Sequence, residues 1–151
     1  MATPRHGPAR FPTAQTGLLV LGAVYLTWGI VGFFFLGDPA ADLSGSDTNH
    51  GPLGLETNGL QNFTHIAMGL VGLVCASKET SMRVGGMVLA VAGLGLVATG
   101  VLGLANPGAN IFSENLAVIV VHGVTGLVAL VIALAPMPTP EGRQSGDPRA
   151  T

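Results

Sequence analysis

Two imidazoles, each with an asparagine seven residues upstream, are the side chains of this chain with the most chemistry to offer. Asn58, Gln61, Asn62 and His65 recur every three to four residues, with Gly69 and Gly72 after them, so they share one face of a helix. Asn115, His122 and Gly126, followed by Ala129 and Ala133, repeat the arrangement. The surrounding sequence is apolar, so both faces are expected to turn inward, toward each other, one to two turns below the outer surface. The plainest chemistry is hydrogen bonding: Asn, Gln and His satisfying one another across a helix bundle for about 0.6–2 kcal/mol per contact. A sharper alternative uses His65 and His122 as axial ligands of a b-type haem, with a glycine one turn beyond each to leave room for the macrocycle. A small-ligand or proton pathway is a further alternative, against which stands the lack of any Asp, Glu, Lys or Arg inside the apolar runs. No carboxylate or Cys is expected beside the imidazoles to complete a metal shell, so no metal site is expected.

Catalysis has no residue to rest on. There is no phosphate-binding glycine loop, nucleophile elbow or paired-carboxylate arrangement, and no enzymatic activity is expected. In the loop after the first apolar run, Asp42, Asp47, Asn49 and His50 could suggest a cation site, but Asp47-x-Asn49-x-Gly51 only faintly resembles a calcium loop and lacks its later Glu, so the segment reads as a solvated acidic loop. The formal net charge is −2 and no basic patch exists, which argues against a nucleic-acid partner. The lone Cys75 forbids an internal disulfide and reads as a small packing residue.

The elements that hold these side chains follow from the distribution of charge. Of the 151 residues only 9% are charged and 48% are apolar, against roughly 25% charged in a soluble domain. Residues 13–37, 57–77, 84–113 and 115–140 contain no Lys, Arg, Asp or Glu. Each holds an apolar core near the ~20 residues that cross a bilayer as a helix. The sequence therefore predicts an all-α membrane protein, a four-transmembrane-helix bundle over residues 13–135, with spans at 17–36, 60–76, 84–104 and 116–135. Residues 1–12 and 136–151 read as disordered tails, and the first span as a retained anchor rather than a cleaved signal. The six basic residues fall in pairs: Arg5 and Arg10, Lys78 and Arg83, Arg143 and Arg149. All lie on the tails and the middle loop, which by the positive-inside rule puts both termini in the cytoplasm. Tyr25, Trp28 and residues 33–35 are expected near the outer interface, where aromatic side chains are favoured.

The two halves also resemble each other. His65 with Gly69, Leu70, Val71 and Leu73 aligns with His122, Gly126, Leu127, Val128 and Leu130, an offset of 57 (65 to 122); Gly22, Gly29 and Gly32 align with Gly93, Gly100 and Gly103, an offset of 71 (22 to 93). The unit is then a helical hairpin used twice. Gly29 and Gly32, Gly69 and Gly72, Gly100 and Gly103, and Gly123 and Gly126 give each span a place for close backbone approach, and Gly95, Thr99 and Gly103 form a further small-residue stripe expected to pack within the bundle.

The first-span pattern Gly22-Ala-Val-Tyr-Leu-x-x-Gly29-Ile-Val-Gly32-Phe33, the run from Asn58 through Asn62, His65 and Gly69 to Gly72, and the later Asn115 and His122 resemble a largely actinobacterial family of four-span membrane proteins catalogued as domain of unknown function 4383. The likeness covers roughly residues 17–134. It implies a bacterial inner membrane protein and brings no activity with it. The fourth span of that family often carries an acid between its Asn and His; here residues 116–121 are apolar, so a site built on that acid is expected to be missing. The reading is a non-enzymatic structural or accessory subunit of the bacterial inner membrane, expected to have lipid as partner and to stand as a homo-oligomer or in a larger membrane complex. The alternative is a haem-, metal- or small-ligand-binding protein using His65 and His122.

Overall fold

The computed structural model describes residues 13–38, 41–45 and 49–136. The expected tails, apart from residue 136, and Asp47 of the acidic loop lie outside the described residues. Four helices account for most of what is described: α1 (Thr13–Gly32), α2 (Gly59–Cys75), α3 (Glu79–Ala105) and α4 (Leu116–Leu134). A 3-10 turn, Phe33–Phe35, extends α1. Between α1 and α2, β1 (Asn49–His50) and β2 (Glu56–Thr57) form a two-residue antiparallel ladder, the single departure from an all-α fold among the described residues.

The helix starts are written in side-chain chemistry. Asn58 and Asn115 are the N-caps of α2 and α4, their side-chain oxygens accepting from the amides of Gln61 and Val118 at 2.9 and 3.0 Å. Asn106 and Pro107 close α3, where proline cannot continue the helix. The turn between α2 and α3 is shorter than the expected 77–83, because α3 already begins at Glu79. Helix α1 likewise starts at Thr13, four residues before the expected 17.

Glycine sets which helices touch. A methyl on Gly22 would lie 2.8 Å from the Leu73 amide nitrogen, and one on Gly29 would overlap the Asn62 carbonyl and Ile66, so α1 lies against α2 backbone to backbone. Gly93 approaches Gly126, and Gly86 approaches Ala129 and Ala133, which seats α3 on α4 in the same way. The hairpins α1–α2 and α3–α4 are antiparallel pairs. The matched glycines Gly22 and Gly93 both meet the partner helix's backbone, Gly22 at residues 69–73 and Gly93 at residues 122–126. Gly95 does not fit the packing expected of its stripe: it is exposed, with nothing within 4 Å of a methyl placed there. Cys75 packs beside Gly85.

The outside of the bundle is apolar, and the inside holds polar side chains beside an apolar cluster around Leu18, Met68 and Leu89. Val20, Val91, Val101, Leu116, Val131 and Leu134 are each more than half exposed, while Gln61, Asn62, His65, Glu114 and His122 are at most 3% exposed. Polar side chains buried beneath an aliphatic surface suit a hydrocarbon solvent, which penalises any polar group left facing it. Helix α1 with its extension (Thr13–Phe35), the Thr80–Ala105 segment of α3, and α4 are long and apolar enough to cross a membrane. Helix α2, at 17 residues, spans roughly 25 Å at 1.5 Å per residue, short of the ~30 Å core.

Candidate functional site

His65 and His122 meet at the centre of the bundle, Nε2 to Nε2, at 2.9 Å. The rings are tilted by 62° with centroids 5.2 Å apart, so the contact is an edge-on hydrogen bond and not a stack. The two residues are 57 apart in sequence, which is the repeat offset.

The asparagines obey the same relation. Asn58 Nδ2 donates to the Ile111 carbonyl at 2.8 Å, and also to that of Gly45 at 3.1 Å. Asn115 Nδ2 donates to the Gly54 carbonyl at 3.0 Å. Residues 54 and 111 are again 57 apart, so each hairpin's cap reaches across to the other's loop. Asn62 stays within its own half: its Oδ1 accepts from the Thr57 hydroxyl at 2.7 Å, and its carboxamide fills the space over Gly32.

A carboxylate joins this core that the sequence reading leaves in a loop. Glu114 is 1% exposed, and its Oε1 lies 2.8 Å from His122 Nδ1. The distance is that of an ion pair, but the oxygen sits off the ring N–H axis, so neither atom has an aligned hydrogen bond. Local structure drives Glu114 inward. Asn110 grips its backbone, Oδ1 accepting from the Glu114 amide at 2.8 Å and Nδ2 donating to its carbonyl at 3.1 Å. Ser113 adopts φ +55, a left-handed conformation uncommon outside glycine, immediately before it. Gly100 leaves room for Oε2, and Gly103 for Asn110. The expectation that no buried carboxylate accompanies the imidazoles is therefore corrected: the acid precedes Asn115 instead of following it. The signal was there, a lone acid at the mouth of a helix N-terminus, where the positive end of the helix dipole favours negative charge.

Tyr25 is a second correction. It is not an interfacial anchor: it is 5% exposed, its hydroxyl 2.6 Å from Thr125 Oγ1 and its ring 5.4 Å from that of His65. Phe34, 83% exposed, does face outward. Beside the imidazoles a cavity of about 250 Å³ opens between α1 and α4 under the loop at residues 53–56. Tyr25, Gln61, His65, His122 and Thr125 all reach its wall.

The geometry bears on what the pair can hold. A haem between the rings needs the two axial nitrogens roughly 4 Å apart, at two bonds of ~2 Å, with the macrocycle between them. Rings in direct contact at 2.9 Å do not fit that group. Among the described residues, no three His, Cys, Asp or Glu side chains are placed to hold a metal ion. What the arrangement does offer is a buried line of proton-holding groups, Glu114, His122 and His65, ending at a cavity.

Compared with known proteins, the chain matches one family model, described as a domain of unknown function (DUF4383), over residues 15–135. No curated protein and no solved structure matches it.

Proposed function

The chain belongs to the family described as a domain of unknown function (DUF4383), and from that premise we propose that it is a non-enzymatic integral membrane protein whose buried Asn, His and Glu side chains lock two helical hairpins together in lipid. All four helices cross the bacterial inner membrane, the short α2 being completed by its polar outer end. Both termini are cytoplasmic, because every Lys and Arg lies on the tails or between α2 and α3. The protein acts as a structural or accessory subunit, as a homo-oligomer or within a larger membrane complex, with no nucleic-acid partner and no cofactor of its own.

One observation carries this reading: His65 and His122 hydrogen-bond side chain to side chain from one hairpin to the other, inside a bundle whose exterior is aliphatic. In lipid the hydrophobic effect does not hold helices together, so interhelical polar contacts and close packing must. A double-mutant cycle with His65→Ala and His122→Ala, followed by thermal unfolding of the purified protein in detergent, measures the contribution. The expected coupling is about 0.6–2 kcal/mol. Strictly additive effects would remove the clamp from the proposal. Reporter fusions at both ends test the topology independently; termini on opposite faces of the membrane would contradict four crossings.

A further inference from the structure

Two seams of the bundle are sealed by glycine, and the seam between α1 and α4 is not. Of the glycines on these two helices only Gly17 faces the other, a methyl there lying 3.2 Å from Ile132 Cδ1. Farther along, Val20, Val24 and Trp28 of α1 and Val121, Thr125 and Val128 of α4 line an open groove. It consists of the cavity of about 250 Å³ and a hollow of about 700 Å³, and Val24 and Thr125 line both. Val20, Val24 and Val128 also belong to the exposed aliphatic exterior, so the groove is continuous with the surface that meets lipid. We propose that this groove holds one tail of an anionic phospholipid of the cytoplasmic leaflet. The proposal goes beyond the clamp and rests on the four crossings and cytoplasmic termini given above.

Depth and charge select the leaflet. Val24 lies midway along Thr13–Phe35 and Thr125 midway along Leu116–Leu134, so the two hollows meet at the centre of the bilayer. From Val24 to Thr13 the larger hollow follows α1 for about 16 Å at 1.5 Å per residue, close to the ~15 Å that one leaflet contributes to a ~30 Å core. It ends at Thr13 and Thr16, whose hydroxyls stand level with the headgroups. Residues 1–12 just before it carry Arg5 and Arg10 and no acid, a charge that attracts an anionic headgroup. The outer end is the reverse: Leu53 and Leu55 roof the cavity, and the Glu56 carboxylate beside them repels a phosphate.

Width selects a hydrocarbon tail over a helix of a second copy. One helical turn, roughly 10 Å across and 5.4 Å high, takes about 420 Å³. The cavity is too small for that, and a helix laid over it would leave it empty. An apolar cavity of about 150 Å³ accepts benzene, so about 250 Å³ takes about ten carbons of a flexible chain. Close helix contact in lipid also depends on small residues, whereas the walls here are Val, Leu and Trp. Gln61 Nε2 and His65 Nδ1 are shut off behind that wall, so the occupant meets almost only hydrocarbon. A tail from the cytoplasmic leaflet fills the larger hollow and puts its end in the cavity, beside Trp28.

Trp28 is the only tryptophan of the chain and reports on the cavity directly. Full-length protein is placed in phosphatidylcholine nanodiscs with increasing fractions of phosphatidylglycerol brominated near its chain ends, and quenching of Trp28 is followed. The reverse titration puts brominated phosphatidylcholine into phosphatidylglycerol. The expected result is a saturable component, half complete at a mole fraction at least about fivefold lower for phosphatidylglycerol than for phosphatidylcholine. Arg10→Gln should reduce that preference. Val24→Phe should remove the saturable component while circular dichroism shows the helices intact, and Val91→Phe, on the exposed face of α3, should leave it unchanged. Quenching that follows mole fraction alone for both lipids, or that vanishes when two copies share a disc, would overturn the proposal, the first leaving bulk lipid and the second a neighbouring chain in the groove. Stronger saturable quenching from bromines near the headgroup would also overturn it, by placing the lipid in the outer leaflet. Should Val24→Phe fail to fold, the two titrations of the unaltered protein still decide. None of these outcomes touches the His65–His122 coupling, and the reporter fusions test the crossings separately.

Discussion

Four glycines of similar sequence context should respond to the same substitution in opposite ways. A methyl on Gly69 would sit 2.6 Å from Leu26 Cβ and 2.7 Å from Leu26 Cα, and one on Gly22 2.8 Å from the Leu73 nitrogen. Carbon atoms attract best at roughly 3.5–4.0 Å, so Gly69→Ala or Gly22→Ala must push α1 and α2 apart by roughly 1 Å. Overpacking of this kind costs about 1–3 kcal/mol, and a gap of that width forfeits a quarter to a half of the dispersion energy along the seam. The neighbours are backbone atoms of facing helices, so no side chain can swing away. Gly123 and Gly95 have the same spacing signature but no such neighbour: the nearest atom to a methyl on Gly123 is Val97 Cγ2 at 3.7 Å, and nothing lies within 4 Å at Gly95. There alanine meets no clash, and helix propensity favours it by up to about 1 kcal/mol. Thermal unfolding of the four single variants in one detergent, followed by circular dichroism, should lower the midpoint for Gly69→Ala and Gly22→Ala and leave it unchanged or raised for Gly123→Ala and Gly95→Ala. A common response in all four would refute the assignment of the α1–α2 seam.

Two further substitutions probe the polar core. Asn115→Ala removes the cap on Val118 and the bond to Gly54, together about 2 kcal/mol, whereas Asn115→Asp keeps the cap and loses only the donor, so its melting midpoint should lie between those of the unaltered protein and the alanine variant. Tyr25→Phe removes the 2.6 Å bond to Thr125 but leaves the ring against His65; because the Thr125 hydroxyl still reaches the Val121 carbonyl at 2.9 Å, the loss should stay near 1 kcal/mol in the same assay.

The helices were legible because lipid enforces a crude rule: a crossing segment must be long, apolar and free of charge, and runs of that kind stand out in any sequence. The inward turn of His65 and His122 was legible for the complementary reason, that an imidazole facing hydrocarbon is costly. Which glycines mark a seam was not. Gly22 and Gly95 look alike in sequence, and only the rotation of each helix about its axis tells them apart. Glu114 escaped because its burial depends on a left-handed Ser113 and on Asn110 gripping the backbone, and neither is a periodic signal. Tyr25 was assigned to the interface on the average habit of aromatic residues, which a single partner hydroxyl on α4 overrides.

The sequence likeness of the two halves offers a comparison that a single chain otherwise lacks, because each half shows what the other can tolerate. The glycine seams are kept in both halves, Gly22 with Gly69 and Gly93 with Gly126, as backbone contact leaves no room for change. The caps and imidazoles are kept as well, and each of these pairs bonds across from one hairpin to the other. The halves differ in the buried side chains around the imidazoles: Thr57 against Glu114, Gln61 against Val118, Asn62 against Ile119 and Tyr25 against Leu96, and at the cavity wall Trp28 against Thr99. Of these, Gln61, Tyr25 and Trp28 line the cavity. A buried polar atom without a partner costs about 1–3 kcal/mol, and such atoms lie in both halves, Gln61 Nε2, Asn62 Nδ2 and His65 Nδ1 in one and His122 Nδ1 with the two Glu114 oxygens in the other, so the polar core is under the same pressure on either side of the imidazole contact.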